Sequence, residues 1–519
     1  MDERRARRLP DGVTDIPAEE WAALPPTLPR LPALPLPDPA TVRARRGWWQ
    51  ALTQHAPFAL LLLLAVFLLT INVATPWHSS HEDNGLVFES AAINHIRFGL
   101  GFTKGQDYFD ATVNPPAITP SSIHPQGVSD AQEFQYLLTG PAHPELYGDH
   151  PALLGLTIAG SLLLFGYHFW AVRLVPILFT LGALLLFYRL MLLLFNQRVA
   201  TFGALLFATF PIAAFYGRDV AHEAPTLCCE MGMTLCYVLW RRSEREGGSA
   251  HWLAGVAACV ALGGAYGWPM LFFAWILCAL DTLAHRRVRW RLALTTAGVS
   301  TLVFALVITQ IAWANNWSLA HLSAMFFERS GGYGSGSGIV QGYFWLKWIM
   351  HHNFFDFGPW TWLALPAALV FLWRQFRREG LSLRIQVIAL FGLGGLAHIL
   401  VFRDGAYVHD YWQFYLIPFY SALLGWSGVA LAQRLAAHPW VERIAARIAA
   451  RMRLLGDAPT GTQTALLVAF SALALVMAAP FIYQLYAGGH LFQFPGREPV
   501  TPLLDIAGRL RALVGALAA

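Results

Sequence analysis

The chain has 519 residues, 56% of them hydrophobic and 13% charged, against roughly 25% charged residues in a soluble domain. With a mean hydropathy of +0.46, a soluble globular protein is excluded and a polytopic membrane protein is expected. The net charge of +5 matters through its distribution along the chain, and no nucleic-acid partner is expected.

Residues 1–50 are rich in arginine and proline, with Pro25, Pro26 and Pro29 leading to Pro39. Such a run reads as an extended cytoplasmic tail rather than a helix. The first apolar run begins only at Pro57, too late for a signal peptide, so it is expected to be an uncleaved anchor. Apolar segments then recur at 57–75, 169–195, 199–216, 220–240, 251–267, 269–284, 292–314, 360–375, 384–402, 411–433 and 464–482. By the roughly 20-residue criterion they make about eleven transmembrane helices, an all-α membrane fold. Cys228, Cys229, Cys236, Cys259 and Cys278 all fall inside these segments with no CxxC spacing, so neither disulfides nor a thiolate metal site is expected.

Arginine sorts the loops. Arg43, Arg45 and Arg46 precede the first span, and clusters around Arg189, Arg241, Arg286, Arg377 and Arg443 mark alternate later loops. The positive-inside rule puts those loops and the N-terminus in the cytoplasm and the C-terminus outside. Segment 151–166 is apolar but too short to cross comfortably, so it is expected to be an interfacial helix. The first outer loop then runs over 76–168 with a helix near Leu86–Phe98 and a second at 151–166. The expected organisation is a tail (1–50), a membrane catalytic domain (51–482) and a short outer segment (483–519). A second outer loop, 315–359, carries the glycine-rich run Ser330–Gly338 and suits a lid or a linker. The Ala-Arg repeats of 434–463 suit an amphipathic surface helix.

Histidine and acid gather on the outer side. His81-Glu82-Asp83-Asn84-Gly85 follows the first span. A carboxylate there suits a general base for an acceptor hydroxyl, worth about 10²–10⁴-fold in rate. Leading a helix, the same acids would also serve as an N-terminal cap. His150 precedes Pro151, where it suits substrate orientation or capping. Arg173 and the Arg218-Asp219 pair stand at outer span ends, where intramembrane charge is costly and arginine suits phosphate; Arg218-Asp219 also fits a local ion pair. His409-Asp410-Tyr411-Trp412 flanks another outer turn and supplies candidate substrate contacts in His409 and Tyr411. Histidine and carboxylate admit a divalent metal, but no HxxxH or HExxH spacing occurs, so no metal or other cofactor is expected.

Together these motifs resemble the GT-C class of membrane glycosyltransferases, and within it the branch of the protein O-mannosyltransferases and the lipid A aminoarabinose transferase. The resemblance covers roughly 57–430. It rests on His81-Glu82-Asp83-Asn84-Gly85, on His150-Pro151-Ala152, on Gly166 to Arg173, and on Arg218 after a third span containing Pro211. It implies a polyprenyl-phosphate-sugar donor and an inverting transfer at the outer face of a plasma membrane, the bacterial inner membrane. Asp83 is the best match for the base and Glu82 the second, because the family's order is Asp-Glu and this chain has Glu-Asp. Arg173 and Arg218 would meet the donor phosphate, and His81, Asn84, His150, Asp219, His409 and Tyr411 the substrates. Ala152 stands where the family has a second proline. Protein, lipid and glycan acceptors all fit. The rival readings are a flippase or transporter, which would favour charge at the midplane and repeated halves, and an oligosaccharide ligase or polymerase.

Overall fold

The computed structural model describes residues 56–75, 77, 83–110, 144–244, 250–331, 354–441, 443 and 462–486. Helix α1 (Ala56–Thr70) is apolar and gives way to a turn over 71–75. Helix α2 (Asp83–Thr103) kinks at Gly99, whose φ is +68°. Strands β1 (Tyr108–Asp110) and β2 (Pro144–Leu146) pair antiparallel, Tyr108 opposite Leu146. The sequence pattern holds no sign of this pairing, because three-residue strands are too short to show alternation.

Helix α3 (Leu153–Phe165) ends at Gly166 with φ +81°. Its 13 residues make it about 20 Å long at 1.5 Å per residue, short of the roughly 30 Å hydrocarbon core. Leu163 and Leu164 near its end are 70% and 79% exposed, as a helix lying against lipid requires.

The bundle follows in chain order. Helix α4 is Phe169–Leu194 and α5 is Gln197–Thr209, capped by Asn196, whose side-chain oxygen accepts from the Val199 amide at 3.1 Å. Pro211 breaks the expected span 199–216 and starts the short α6 (Pro211–Tyr216), since proline suits a first turn and not a helix interior. Then come α7 (Glu223–Ser243), α8 (His251–Tyr266), α9 (Pro269–His285) and α10 (Trp290–Ala314), the last with a π-turn at Leu294–Gly298. Helix α11 (Ala320–Ser330) buries no residue fully. Helices α12 (Thr361–Glu379), α13 (Leu383–Val401) and α14 (Arg403–Val408) follow. A 3-10 turn at Asp410–Leu416 leads into α15 (Ile417–Ala436), and α16 is Thr462–Tyr486.

Helical segments overlie each expected span. Among the described residues, five stretches are long and apolar enough to cross a membrane by themselves: Phe169–Leu194, Trp290–Ala314, Leu383–Val401, Tyr411–Ala436 and Gln463–Tyr483. Several others are 13–17 residues long or broken by proline. The tail 1–50, the glycine run of 332–338, most of the Ala-Arg segment and the chain after 486 lie outside the described residues.

One buried cluster runs through α4, α5, α7, α9, α13 and α15, with Phe187, Met231, Phe273 and Phe391 at its centre. Helices α5 and α15 meet through glycine: a Cβ on Gly425 would fall 3.0 Å from the Gly203 Cα, a backbone approach that small residues permit. A second cluster, including Trp77, Phe88, Leu154, Ile158 and Val172, joins α2 and α3 to the start of α4. It fixes the first loop on the bundle and so positions the site.

Candidate active site

The paired strands β1 and β2 set the first element of the site. The Tyr147 amide donates to the Asp107 carbonyl at 2.8 Å, which holds the following Gly148-Asp149-His150 against the bundle. The indole of Trp268, just before α9, donates to the Asp149 carbonyl at 2.8 Å. The Asp149 carboxylate accepts from His150 Nδ1 at 2.9 Å and from Arg329 Nη2 at 2.7 Å. Arg329 Nη1 approaches His150 Nε2 at 3.2 Å. Burial of Asp149 would raise its pKa, but the His150 ring and the Arg329 guanidinium outweigh that and hold it well below the ordinary carboxylate range. Burial pushes the neighbouring Tyr147 hydroxyl up.

The rings stack behind this triangle. Tyr147 lies 5.3 Å from His150, His150 4.9 Å from His222, and Phe88 of α2 meets His222 edge-on at 4.8 Å. Asp149, His150, His222, Glu223 and Arg329 form the polar end of a cavity of about 500 Å³. Its walls are Leu271 and Phe272 of α9, Phe304 and Ile308 of α10, Leu322 and Phe326 of α11, and His398 and Phe402 near the end of α13. A charged end and a long apolar flank are the complement of an amphiphile with an anionic head.

Asn84 donates to the Asp219 carboxylate at 3.4 Å. Since Asp219 lies three residues before His222 on one connection, the start of α2 sits next to the cavity's polar end. His81 and Glu82 lie outside the described residues, as does the side chain of Asp83, whose backbone opens α2. His409 Nδ1 and the Tyr411 hydroxyl are 3.2 Å apart, one residue before Trp412, which lines the cavity.

Arg173 and Arg218 both face the segment that follows α1. Arg173 is 1% exposed, donates to the Val73 and Thr75 carbonyls and lies 4.1 Å over the Trp77 ring. Arg218 donates to the Ile71 carbonyl and packs 4.6 Å over the Tyr486 ring. Neither lines the cavity. The residues past a helix end carry carbonyls with no intrahelical partner, and the two guanidinium groups satisfy them. They thereby fasten the segment 71–77 that leads into the acidic motif. Tyr486 adds to the fastening by donating to the Ala214 carbonyl at 2.6 Å and to the Leu68 carbonyl. Trp77 donates to Glu89 at 2.7 Å and covers Gly85, so the clamp extends to the first turn of α2.

Sequence reasoning missed Arg329 as a site residue. The available signal is that Arg329 and Lys347 are the basic residues of 315–359. Among the described residues no group of three His, Cys, Asp or Glu side chains is arranged to hold a metal.

Residues 149–313 match the family model described as dolichyl-phosphate-mannose-protein mannosyltransferase. No curated protein matches the chain by sequence. Solved structures share the fold. ArnT from Cupriavidus metallidurans, bound to undecaprenyl phosphate, superposes with a TM-score of 0.50 at 13% identity, covering 84% of this chain and 78% of that one. The Archaeoglobus fulgidus oligosaccharyltransferase in its apo form gives 0.51 at 13% identity, covering 89% of this chain and 60% of that one. The same archaeal enzyme tethered to an acceptor peptide gives 0.52 at 14% identity, over 86% of this chain and 57% of that one. The matched segment is similar to the protein mannosyltransferases, and the superpositions show that the chain shares the fold of ArnT and of the archaeal oligosaccharyltransferase, both of them membrane glycosyltransferases.

Proposed function

We propose that the protein transfers a sugar from a polyprenyl-phosphate donor to an acceptor hydroxyl at the outer face of a bacterial inner membrane, with inversion at the anomeric carbon. The observation that carries this reading is the cavity: a polar end with Arg329, His150 and Asp149 opening onto an apolar flank between α9, α10 and α11. The prenyl chain lies along that flank and the phosphate meets Arg329, whose planar fork suits bidentate phosphate contacts. His150, stacked between Tyr147 and His222, orients the headgroup.

The acceptor hydroxyl loses its proton to Asp83 or Glu82 as its oxygen attacks the anomeric carbon from the face opposite the phosphate. The glycosidic bond forms as the C–O bond to phosphate breaks, and polyprenyl phosphate leaves as an anion that needs no general acid. Asn84, held by Asp219, lies beside the base and bounds the acceptor side, with His81, His409 and Tyr411 as further contacts. Arg173 and Arg218 hold the loop rather than the phosphate in this scheme. No step requires a metal.

The test is turnover by purified protein with a panel of polyprenyl-phosphate sugars and membrane-extract acceptors, read as free polyprenyl phosphate and as the anomer of the product. Release with inversion supports the reading. Absence of release with every donor removes it and leaves a transporter on the same fold.

A further inference from the structure

The opposite end of the bundle carries a second polar pocket. Arg384 opens α13 and His398 near its end lines the donor cavity, so the two are 14 residues, or about 21 Å, apart along one helix. The pocket, about 390 Å³, lies between α12, the start of α13 and the end of α15 and is lined by Gln375, Arg384, Trp426, Ala430, Gln433 and Arg434. A smaller space of about 190 Å³ shares Arg384, Trp426 and Gln433 and reaches Asn196.

Charge and shape separate the roles of the two arginines. Glu379 takes Arg384 in a two-pronged pair, with Nε at 2.7 Å, and the guanidinium lies 5.0 Å from the Trp426 ring. Arg384 is thus neutralised and forms part of the wall. Arg434 has no ion-pair partner among the described residues and is exposed at the rim, beside two side-chain amides. Phe371 and Phe195 pack against Trp426 at 4.9 and 5.0 Å and make the floor aromatic. The adjoining surfaces of α12 and α15 are apolar and open, with Trp373 56%, Val370 51% and Leu431 49% exposed. This is the arginine-rich end of the helices, which the positive-inside rule assigns to the cytoplasmic leaflet.

We propose that this pocket binds the phosphodiester headgroup of an anionic phospholipid of the inner leaflet. Arg434 supplies the net charge, Gln375 and Gln433 donate hydrogen bonds, Trp426 floors the glycerol, and the acyl chains run along α12 and α15. Basic pockets between helices on this side of a membrane are suited to such lipids, and the occupied site braces α12 against α13 and α15.

The experiment titrates the full-length protein, purified in neutral detergent, with phosphatidylglycerol, phosphatidylcholine or inorganic phosphate. It follows the thermal midpoint and the retained lipid by native mass spectrometry. The expected result is a saturable stabilisation by phosphatidylglycerol alone. Arg434→Gln weakens its apparent affinity about five-fold or more, the effect of one interfacial arginine. Ala430→Leu, which fills the pocket without changing charge, abolishes the effect. Arg374→Gln, on the neighbouring α12 and outside the pocket, leaves it unchanged. The same stabilisation by inorganic phosphate overturns the lipid assignment. Equal losses in Arg434→Gln and Arg374→Gln, or full binding by Ala430→Leu, overturn the site.

Discussion

Replacing Arg329 by glutamine tests the donor end of the cavity. The guanidinium donates to Asp149 at 2.7 Å and approaches His150 at 3.2 Å and the Trp412 ring at 5.9 Å. Two effects follow and they are separable. Asp149, 3% exposed in its side chain, loses one partner but keeps His150, so folding stability falls by about 1–3 kcal/mol, the cost of a buried acceptor left short of a donor. Donor binding loses a charge-assisted contact to phosphate, worth about 1.5–3 kcal/mol, which converts to a rise of roughly 10- to 100-fold in donor KM. The double variant Asp149→Asn with Arg329→Gln removes the stranded charge. It recovers the stability while donor KM stays high. Release of polyprenyl phosphate at varied donor concentration gives KM, and thermal unfolding gives stability. A wild-type donor KM in Arg329→Gln, or recovery of KM together with stability in the double variant, refutes the phosphate role.

The clamp gives a contrasting prediction. In Arg173→Lys the shorter side chain does not place its ammonium where Nη1 serves both the Val73 and Thr75 carbonyls, and the planar stack on Trp77 is lost, so it lowers kcat while leaving donor KM near wild type; a change confined to donor KM restores Arg173 to the phosphate. The depressed Asp149 carboxyl sets an acid dependence. Because its folded pKa lies below the ordinary carboxylate range, its stabilisation is fully present above the unfolded pKa and is lost as pH falls from there through the folded pKa. Asp149→Asn therefore shows a shallower loss of stability on acidification than wild type in pH-resolved unfolding. Gly155 of α3 backs onto Asp107, whose carboxylate would collide with an added Cβ; Gly155→Ala lowers stability by about 1–3 kcal/mol, the usual overpacking cost, and an unchanged midpoint contradicts the packing of α3 against Asp107. Glu230 is fully buried in α7 with neither carboxyl oxygen hydrogen-bonded among the described residues, a costly arrangement for a polar group. Glu230→Gln, of nearly the same shape, consequently leaves stability unchanged or raised, and a large loss contradicts that reading.

Much of the helical skeleton is legible in the sequence because membrane depth imposes long apolar runs. The helices at 169–194, 290–314 and 383–401 match the expected segments to within two residues. The short helix before Gly166 is legible from its length alone. Local chemistry fails where the partner is distant. Arg329 and Asp149 are 180 positions apart, and nothing near either residue announces the other. Arg173 and Arg218 suit phosphate in the sequence because intramembrane arginine demands a partner. The structure gives them backbone carbonyls at the end of α1, acceptors that every helix end exposes and that no residue type marks. The motif at 81–85 has the reverse status: its residue types point to chemistry, and Asn84 is the one whose side-chain contact is described.

The account depends most on the acid that follows the first span. Its direct test is donor turnover by Asp83→Asn and Glu82→Gln beside wild type, measured as free polyprenyl phosphate under saturating donor. The account predicts that wild type turns over and that one of the two variants, Asp83→Asn first, falls by about 10²-fold or more, the contribution of a general base, with donor KM little changed. Turnover within a few-fold of wild type in both variants would contradict it and remove this loop from the chemistry.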